Sequence, residues 1–128
     1  MTVLDTHAWI WWMSDPDRLS RRAAAAIRSA RQLGVSAISC WEFARLVARR
    51  RIAIDRGPLD WIRGALSQPG VELLAVTPIV AVQAAQLPDS FPGDPCDRLI
   101  MASALSEGAS LVTKDDRLRR SGLVEAIW

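Results

Sequence analysis

Short apolar runs alternate with longer helix-like segments along the whole chain, and this alternation constrains the fold more than any other feature. Strands separated by helices pair in parallel, since each helix carries the chain back to the start of the next strand. The pattern therefore predicts an α/β protein with a parallel sheet and helices on both faces. The predicted strands are Thr2–Leu4, Val35–Ile38, Glu72–Val76, Ser110–Thr113 and Leu123–Ile127.

Capping residues and glycines predict where the helices begin and end. Ser20 is the predicted N-cap of an Ala-rich helix that Gly34 ends, and Ser39 is the predicted cap of the next helix, which runs to about Arg50. Asp94 followed by proline predicts a helix start, and Gly108 predicts its end. The remaining predicted helices are Ala8–Met13, Gly57–Ser67, Pro78–Gln86 and Asp116–Arg120, and a loop covers Leu87–Gly93.

Length and composition fit one domain. The chain has 128 residues, of which 50% are hydrophobic and 23% charged, and it shows no internal repeat or linker, so residues 1–128 are predicted to form a single domain. No apolar stretch approaches the roughly 20 residues that a membrane-spanning helix needs. Asp5 interrupts the region where a signal peptide would be apolar, so a cytoplasmic location is expected, with Cys40 and Cys96 as buried thiols.

Four acidic residues occupy equivalent places relative to the predicted strands. Asp5 and Asp115 come directly after the first and fourth strands. Glu42 lies in the first turn of the helix after the second strand, and Asp97 in the first turn of the helix before the fourth. In a parallel α/β sheet the ends of strands and the starts of helices share one edge, where ligands bind. The four carboxylates are therefore predicted to meet at that edge.

Each acid also has a purely structural interpretation as a helix cap. Ser39 and Glu42 match a capping box, and Asp97 lies where the helix dipole favours an acid. Asp5 could cap the helix that follows it, and Thr113 with Asp116 forms another cap-like pair. Capping contributes about 1 kcal/mol per residue, whereas a close pair of carboxylates repels by about 4 kcal/mol at an effective dielectric constant near 20. Their convergence therefore favours a bound divalent cation.

The donor types indicate which metal and which chemistry such a site would serve. Carboxylate oxygens suit Mg²⁺ or Mn²⁺ rather than zinc. Such an ion activates water for attack on phosphorus and stabilises the leaving oxygen. The only histidine, His7, is more readily interpreted as a neighbouring structural residue than as a ligand. No covalent nucleophile with its own base is visible in the sequence.

The distribution of arginine and tryptophan leaves two questions open. The net charge is only +2, but arginines cluster at Arg49–Arg51 and again at Arg117, Arg119 and Arg120. These clusters are either solvated helix ends or contacts to phosphates, with Arg49 and Arg50 as the candidate RNA-binding residues. Trp9, Trp11 and Trp12 cannot all face one core, so at least one is expected at an interface or against an RNA base.

The acidic motifs in order, at these separations, resemble the PIN domain, and more narrowly the VapC-type toxins of bacterial toxin–antitoxin pairs. The motifs are VLDTHA at 3–8, VSAISCWE at 35–42, DPCDR at 94–98 and LVTKD at 111–115. The resemblance covers essentially the whole chain. It implies a three-layer α/β/α sandwich with strand order 3-2-1-4-5. It also implies a Mg²⁺- or Mn²⁺-dependent endoribonuclease that leaves a 3′-hydroxyl and a 5′-phosphate.

The same resemblance implies roles for particular residues. Asp5 and Asp97 match direct metal ligands, and Glu42 and Asp115 match acids that act on the metal directly or through water. Asp116 competes with Asp115 for the fourth place, which the Thr-x-Asp spacing assigns to Asp115. The supporting positions are Thr6, Thr113 and Arg98, and Asp94 is interpreted as an N-cap.

The family resemblance also implies partners. VapC-type toxins form homodimers and are held inactive in hetero-oligomers with a cognate VapB-type antitoxin. The antitoxin lays a C-terminal segment across the toxin's groove and often places an arginine in the acidic site. RNA is the implied substrate, and no membrane association is expected.

Three other functions give different expectations. A receiver-like phosphoacceptor domain would need an aspartate at the end of the third strand, where Val76-Thr77-Pro78 stands instead, and Lys114 is followed by Asp rather than Pro. A haloacid-dehalogenase-like phosphatase would need a second acid two residues after Asp5, where His7 stands. A catalytically inactive PIN-like binding module would not need all four acids.

Overall fold

The central element is a five-stranded parallel sheet of order β3-β2-β1-β4-β5, seen in a computed structural model that describes residues 1–128. This confirms the predicted α/β class and the strand order. β1 and β4 are neighbours, so the chain segments that leave their carboxyl ends start side by side. The strands are β1 Thr2–Leu4, β2 Leu33–Ser36, β3 Val71–Leu74, β4 Ser110–Val112 and β5 Ala126–Ile127.

Seven α-helices cover the two faces of the sheet. Val3 and Leu4 are consecutive in β1 and therefore point to opposite faces. Val3 packs with Ile100 and Met101 in one apolar cluster, and Leu4 packs with Trp9 and other residues in a second cluster, so the sheet has a core on each side. The helices are α1 Thr6–Ser14, α2 Arg21–Ser29, α3 Ala37–Ala48, α4 Pro58–Leu66, α5 Pro78–Ala85, α6 Pro95–Glu107 and α7 Asp116–Arg120, with a 3₁₀ turn at Pro16–Arg18.

Aromatic side chains join α1, α3 and α4 over the Leu4 face of the sheet. Phe43 and Trp61 are stacked with their ring centroids 4.0 Å apart, and Trp9 meets Trp61 edge-on at 5.2 Å. Trp9 is fully buried, whereas Trp11 and Trp12 are half-buried. The three neighbouring tryptophans therefore do not all lie in one core, and the use of Trp11 or Trp12 at an interface stays a prediction.

The start of α3 differs from the prediction. The N-cap is Ser36, whose hydroxyl accepts a hydrogen bond from the Ile38 amide at 3.3 Å, so the predicted Ser39 capping box is wrong. Ser39 lies inside the helix, and its hydroxyl instead accepts a hydrogen bond from Thr6 at 2.9 Å. The chain passes from β2 into α3 without a loop, which makes the earlier serine the cap. Glu42 consequently lies in the second turn of α3 rather than the first.

Several other boundaries shift because tertiary packing overrides local signals. Gly34 lies within β2 instead of ending α2, and a Cβ atom there would come within 2.7 Å of Leu74 Cδ1 on β3. β3 begins and ends earlier than predicted, and β5 is limited to its last two predicted residues. Cys96 is buried as expected, but Cys40 is only half-buried. No helix of the protein is both long and apolar enough to span a bilayer.

Candidate active site

A pocket of about 370 Å³ at the carboxyl ends of β1 and β4 brings together the four acids singled out in the sequence. Each comes from a different part of the chain, and the parallel topology directs all of them to this edge. Asp94, predicted only as a helix cap, also lines the pocket. The full lining is Asp5, His7, Trp11, Glu42, Asp94, Asp97, Lys114, Asp115 and Arg117.

Two of the acids are N-caps at the ends of neighbouring strands. Asp5 follows β1 and caps α1, where its Oδ1 atom accepts a hydrogen bond from the Thr6 amide at 2.8 Å. Asp115 is the third residue after the end of β4 and caps α7, where its Oδ1 atom accepts from the Arg117 amide at 2.8 Å. The capping interpretation is thus correct for Asp5, whereas the predicted pair of Thr113 and Asp116 is wrong because Asp115 is the cap of α7. Capping is compatible with a place in the pocket because each cap bond engages one oxygen.

Asp97 and Glu42 enter the pocket from helices α6 and α3. Asp94 caps α6 through its Oδ1 atom, which accepts from the amides of Cys96 at 2.8 Å and Asp97 at 3.2 Å. Pro95 occupies the first helical position, where its fixed φ angle suits the helix. The Asp97 carboxylate therefore stands in the first turn of α6, near the positive end of the helix dipole.

Thr113 connects two of the acids from beneath the pocket. Its buried hydroxyl donates a hydrogen bond to Asp5 Oδ2 at 2.6 Å and accepts one from the Asp115 amide at 3.1 Å. Thr6, the other predicted supporting threonine, is also fully buried and binds Ser39 on α3. Thr113 thus orients the Asp5 carboxylate directly, whereas Thr6 joins α1 to α3.

The pocket holds more negative charge than its surroundings compensate. Burial raises the pKa of Asp5 above its usual value. Burial, together with repulsion from Asp5 and Asp94, raises the pKa of Glu42. The strongest effect falls on Asp97, where burial first and the neighbouring charges of Asp5, Asp94 and Asp115 next raise the pKa to about 7.

Arg117 provides the nearest positive charge, and sequence reasoning did not place it in the site. Its guanidinium contacts Asp115 Oδ2 at 2.8 Å and Asp97 Oδ2 at 3.5 Å. The hydrogen bond from Arg117 lowers the pKa of Asp115. The only sequence signal was its position in the first turn after Asp115, from which a long side chain can reach back over the cap.

Two predicted supporting residues, Asp116 and Arg98, neither line the pocket nor bind its acids. Asp116 is exposed and forms an ion pair with Arg119, so the structure places Asp115, and not Asp116, among the converging acids. Arg98 turns away from the acids. Its guanidinium donates hydrogen bonds of 3.0 to 3.3 Å to five backbone carbonyls around the predicted loop, those of Ala84, Leu87, Pro88, Phe91 and Pro92.

The donor chemistry of the pocket fits a hard divalent cation. As the side chains stand, no three acidic, histidine or cysteine groups are close enough together to hold a metal ion. The available donors are nevertheless carboxylate oxygens, the kind that Mg²⁺ and Mn²⁺ prefer. Burial, and after it repulsion from the neighbouring acids, raises the pKa of Asp97, and the Arg117 guanidinium contacts two of the acids.

The fold and the pocket together define a class: a small parallel α/β domain with carboxylates gathered at the carboxyl edge of its central strands. The chain belongs to the PIN domain family, whose match covers residues 2–122. It is 46% identical over 117 residues to Ribonuclease VapC22 of Mycobacterium tuberculosis, a match that covers 91% of this chain and 88% of that protein.

Solved structures with the same fold include a bacterial toxin and a DNA-bound bacterial complex. M. tuberculosis VapC20, a sarcin–ricin loop cleaving toxin, superposes with a TM-score of 0.74 at 21% identity over 98% of each chain. The DNA-bound VapBC complex from Salmonella typhimurium matches with a TM-score of 0.73 at 21% identity, covering 98% of this chain and 95% of that one. At this identity the likeness establishes the fold.

Proposed function

We propose that this protein is the endoribonuclease toxin of a type II toxin–antitoxin system and hydrolyses RNA phosphodiester bonds with Mg²⁺ or Mn²⁺. The observation that carries the proposal is the convergence of Asp5, Glu42, Asp97 and Asp115 in one pocket of a PIN domain. The 46% identity to a ribonuclease supports the choice of RNA as substrate.

In this proposal the acids divide into two roles. Asp5 and Asp97 would hold the metal directly, while Glu42 and Asp115 would act on it directly or through water. The bound ion would make an attacking water more acidic and stabilise the charge that develops on the leaving oxygen. Thr113 holds Asp5 Oδ2 in place, so the ligand does not have to be reoriented when the ion binds.

The cationic residues of the pocket serve the substrate. Lys114 and Arg117 line the same pocket as the acids. Arg117 contacts Asp97 and Asp115, and it would be free to bind a substrate phosphate if a bound cation compensated those carboxylates. A guanidinium can bind two phosphate oxygens at once, which orients the phosphodiester as well as neutralising it.

An RNA cleavage assay tests this function. End-labelled RNA is incubated with the protein and Mn²⁺, with and without chelator, and the product ends are mapped. We expect internal cleavage to a 3′-hydroxyl and a 5′-phosphate that chelator stops and that Asp97→Asn abolishes. Full activity in Asp97→Asn would refute the assigned ligand role, and intact RNA under all conditions would favour an inactive PIN-like binding module.

The receiver-like alternative has little support in this structure. β3 ends at Leu74 and is followed by Ala75, Val76 and Thr77, so no acid stands where a receiver would be phosphorylated. A receiver would take up phosphate from a small phosphodonor and leave RNA intact, so the same preparation distinguishes the two.

A VapB-type antitoxin and a second copy of the chain are the proposed protein partners. The Salmonella relative named above is a VapBC complex. An exposed apolar surface supports self-association here: Ile79 and Val82, three residues apart and so on one face of α5, are 69% and 54% exposed. Exposed apolar surface of this kind marks protein interfaces. We call these two residues the α5 patch.

A further inference from the structure

We propose that a groove beside the acidic pocket binds the RNA strand, with a base stacked on Trp41 and phosphates held by Arg45, Arg49 and Arg51. This inference rests on the proposed ribonuclease function and deepens it, because it assigns the flanking nucleotides to a specific surface. We call this surface the Trp41 groove. Its lining is Ile38, Trp41, Glu42, Arg45, Leu46, Arg49, Arg51, Asp94, Pro95 and Cys96.

The Trp41 groove adjoins the acids. It has a volume of about 680 Å³ and runs between α3 and the start of α6. Glu42 and Asp94 line both the groove and the acidic pocket. A chain lying in the groove would therefore continue directly to the carboxylates.

Trp41 is the most unusual side chain of the groove. It is 51% exposed, the only tryptophan of the six that is neither buried nor half-buried. The Arg45 guanidinium lies over the indole ring at 5.1 Å from its centroid. A flat aromatic surface exposed to water and backed by a cation is a platform on which a nucleic-acid base can stack, whatever its sequence.

The arginines of the groove have no acidic partners. Arg45, Arg49 and Arg51 are exposed, and none of them is among the ion pairs of the protein. Arg51 stays close to α3 because the chain turns back there: its amide donates to the Leu46 carbonyl at 2.8 Å. Interaction with the helix dipole explains arginines at the end of α3, but it does not explain an exposed tryptophan beside them.

The combination of features favours RNA over a protein segment. An RNA strand carries repeated negative charges that the three arginines can bind, and flat bases that can stack on the indole ring. Of the two residues that the sequence suggested for RNA binding, Arg49 lines the groove and Arg50 does not.

RNA binding in chelator tests the inference without cleavage. The probe is a fluorescein-labelled, mixed-sequence single-stranded RNA of ten nucleotides, and binding is followed by fluorescence anisotropy in EDTA. We expect Trp41→Ala to weaken binding by about 5- to 100-fold. Trp41→Phe keeps an aromatic face and should restore most of the affinity. Because Trp41 is half exposed, both variants should fold, which circular dichroism checks.

The arginines are tested by the salt dependence of the same binding. We expect Arg49→Gln to reduce the slope of log affinity against log salt by about 0.7, the value for one phosphate contact on a single strand. Arg28→Gln, which removes an exposed arginine from α2 and not from the groove, is the matched control and should leave the slope unchanged.

The outcomes separate this inference from the proposed function. Unchanged RNA affinity in Trp41→Ala and an unchanged slope in Arg49→Gln would overturn the inference and leave the groove to a protein partner, even if the wild type cleaves RNA. Trp41-dependent binding by a protein that never cleaves RNA with Mn²⁺ would support the groove and refute the nuclease.

Discussion

The pKa of Asp97 links the environment of the acidic pocket to the stability of the protein. Its pKa is raised from 3.8 to about 7 because it is buried among other acids. The folded protein therefore keeps the Asp97 proton to a higher pH than the unfolded chain does. The contribution of Asp97 to the free energy of unfolding should consequently fall as the pH rises from about 4 to about 7, and a bound divalent cation should reverse this loss.

Asp97→Asn removes the charge and should therefore stabilise the metal-free protein above pH 7. We expect a gain of about 2 to 4 kcal/mol in the free energy of unfolding at pH 8, and little difference near pH 4. Urea denaturation in EDTA at both pH values measures the difference in free energy of unfolding between variant and wild type. Added Mg²⁺ should narrow this difference at pH 8 by stabilising only the wild type. A gain that is equal at both pH values would contradict the electrostatic explanation.

Arg98 is a residue whose role depends entirely on tertiary contacts. Within the motif it resembles a supporting residue of the site, but its five carbonyl contacts make it the anchor of the 87–93 loop. Arg98 follows Asp97 directly, so one turn of α6 places the Asp97 carboxylate in the pocket and the Arg98 guanidinium against the 87–93 loop.

Arg98→Lys keeps the positive charge but loses the planar group that bridges several carbonyls. We expect a loss of about 2 to 4 kcal/mol in the free energy of unfolding, since the abandoned carbonyls are partly buried. Hydrogen exchange should rise first in residues 87–93. Arg119→Lys, which alters a surface ion pair, is the control and should change stability by less than about 0.5 kcal/mol. If residues 87–93 of Arg98→Lys were protected from hydrogen exchange as well as in the wild type, the anchoring role would be refuted.

At the scale of elements, the end of α3 is a turn built with an unfavourable residue. The Arg51 amide donates to the Leu46 carbonyl and the Arg50 amide to the Val47 carbonyl, the two bonds of a Schellman motif. This motif requires a left-handed residue, and Arg50 occupies that place with a φ of 55°. Glycine is the residue usually found there, because it has no Cβ atom to crowd the backbone.

Arg50→Gly should therefore stabilise the protein, unlike most substitutions. We expect a gain of about 0.5 to 1 kcal/mol in the free energy of unfolding. Arg49→Gly is the matched control, because it removes the same charge at a residue whose φ is −89°. It should destabilise by about 0.5 to 1 kcal/mol. Equal effects of the two glycines in thermal denaturation would show that the backbone strain at Arg50 is negligible.

The elements also show which local signals are reliable. Ser20, Asp94 and Gly108 act at the helix ends where the sequence predicted them, because their capping bonds are made within a few residues. Ser39 and Gly34 were misinterpreted because their partners are distant in sequence: Thr6 contacts Ser39, and Leu74 packs over Gly34. A local motif predicts a boundary only where no tertiary contact competes for the same residue.

At the scale of the whole molecule, the α5 patch is an apolar surface that the fold leaves uncovered. α5 carries no charged residue, and it follows β3, an edge strand of the sheet, along the chain. An apolar surface that is self-complementary across a two-fold axis can join two copies of one chain. The proposed homodimer therefore has a candidate interface that shares no residue with the acidic pocket or the Trp41 groove.

Ile79→Asp together with Val82→Asp should shift the protein from dimer to monomer. Each substitution places a charge on a surface that would be desolvated by dimer formation. Sedimentation velocity measures the change in mass. Leu59→Asp is the matched control, because Leu59 is 57% exposed on α4, outside the patch, and should leave the mass unchanged. A wild type that is already monomeric would refute the dimer, and a double variant that stays dimeric would place the interface elsewhere.

The alternation of strands and helices along the chain could be predicted from the sequence alone. The meeting of four distant acids at one edge of the sheet could be predicted as well, because the carboxyl ends of parallel strands lie at the same edge. Tertiary structure alone decided that Arg117 lies over those acids, that Arg98 anchors a loop and that Trp41 stands exposed among unpaired arginines. These features depend on side-chain contacts between segments that are distant in the sequence. Periodicity and capping signals carry no information about such contacts.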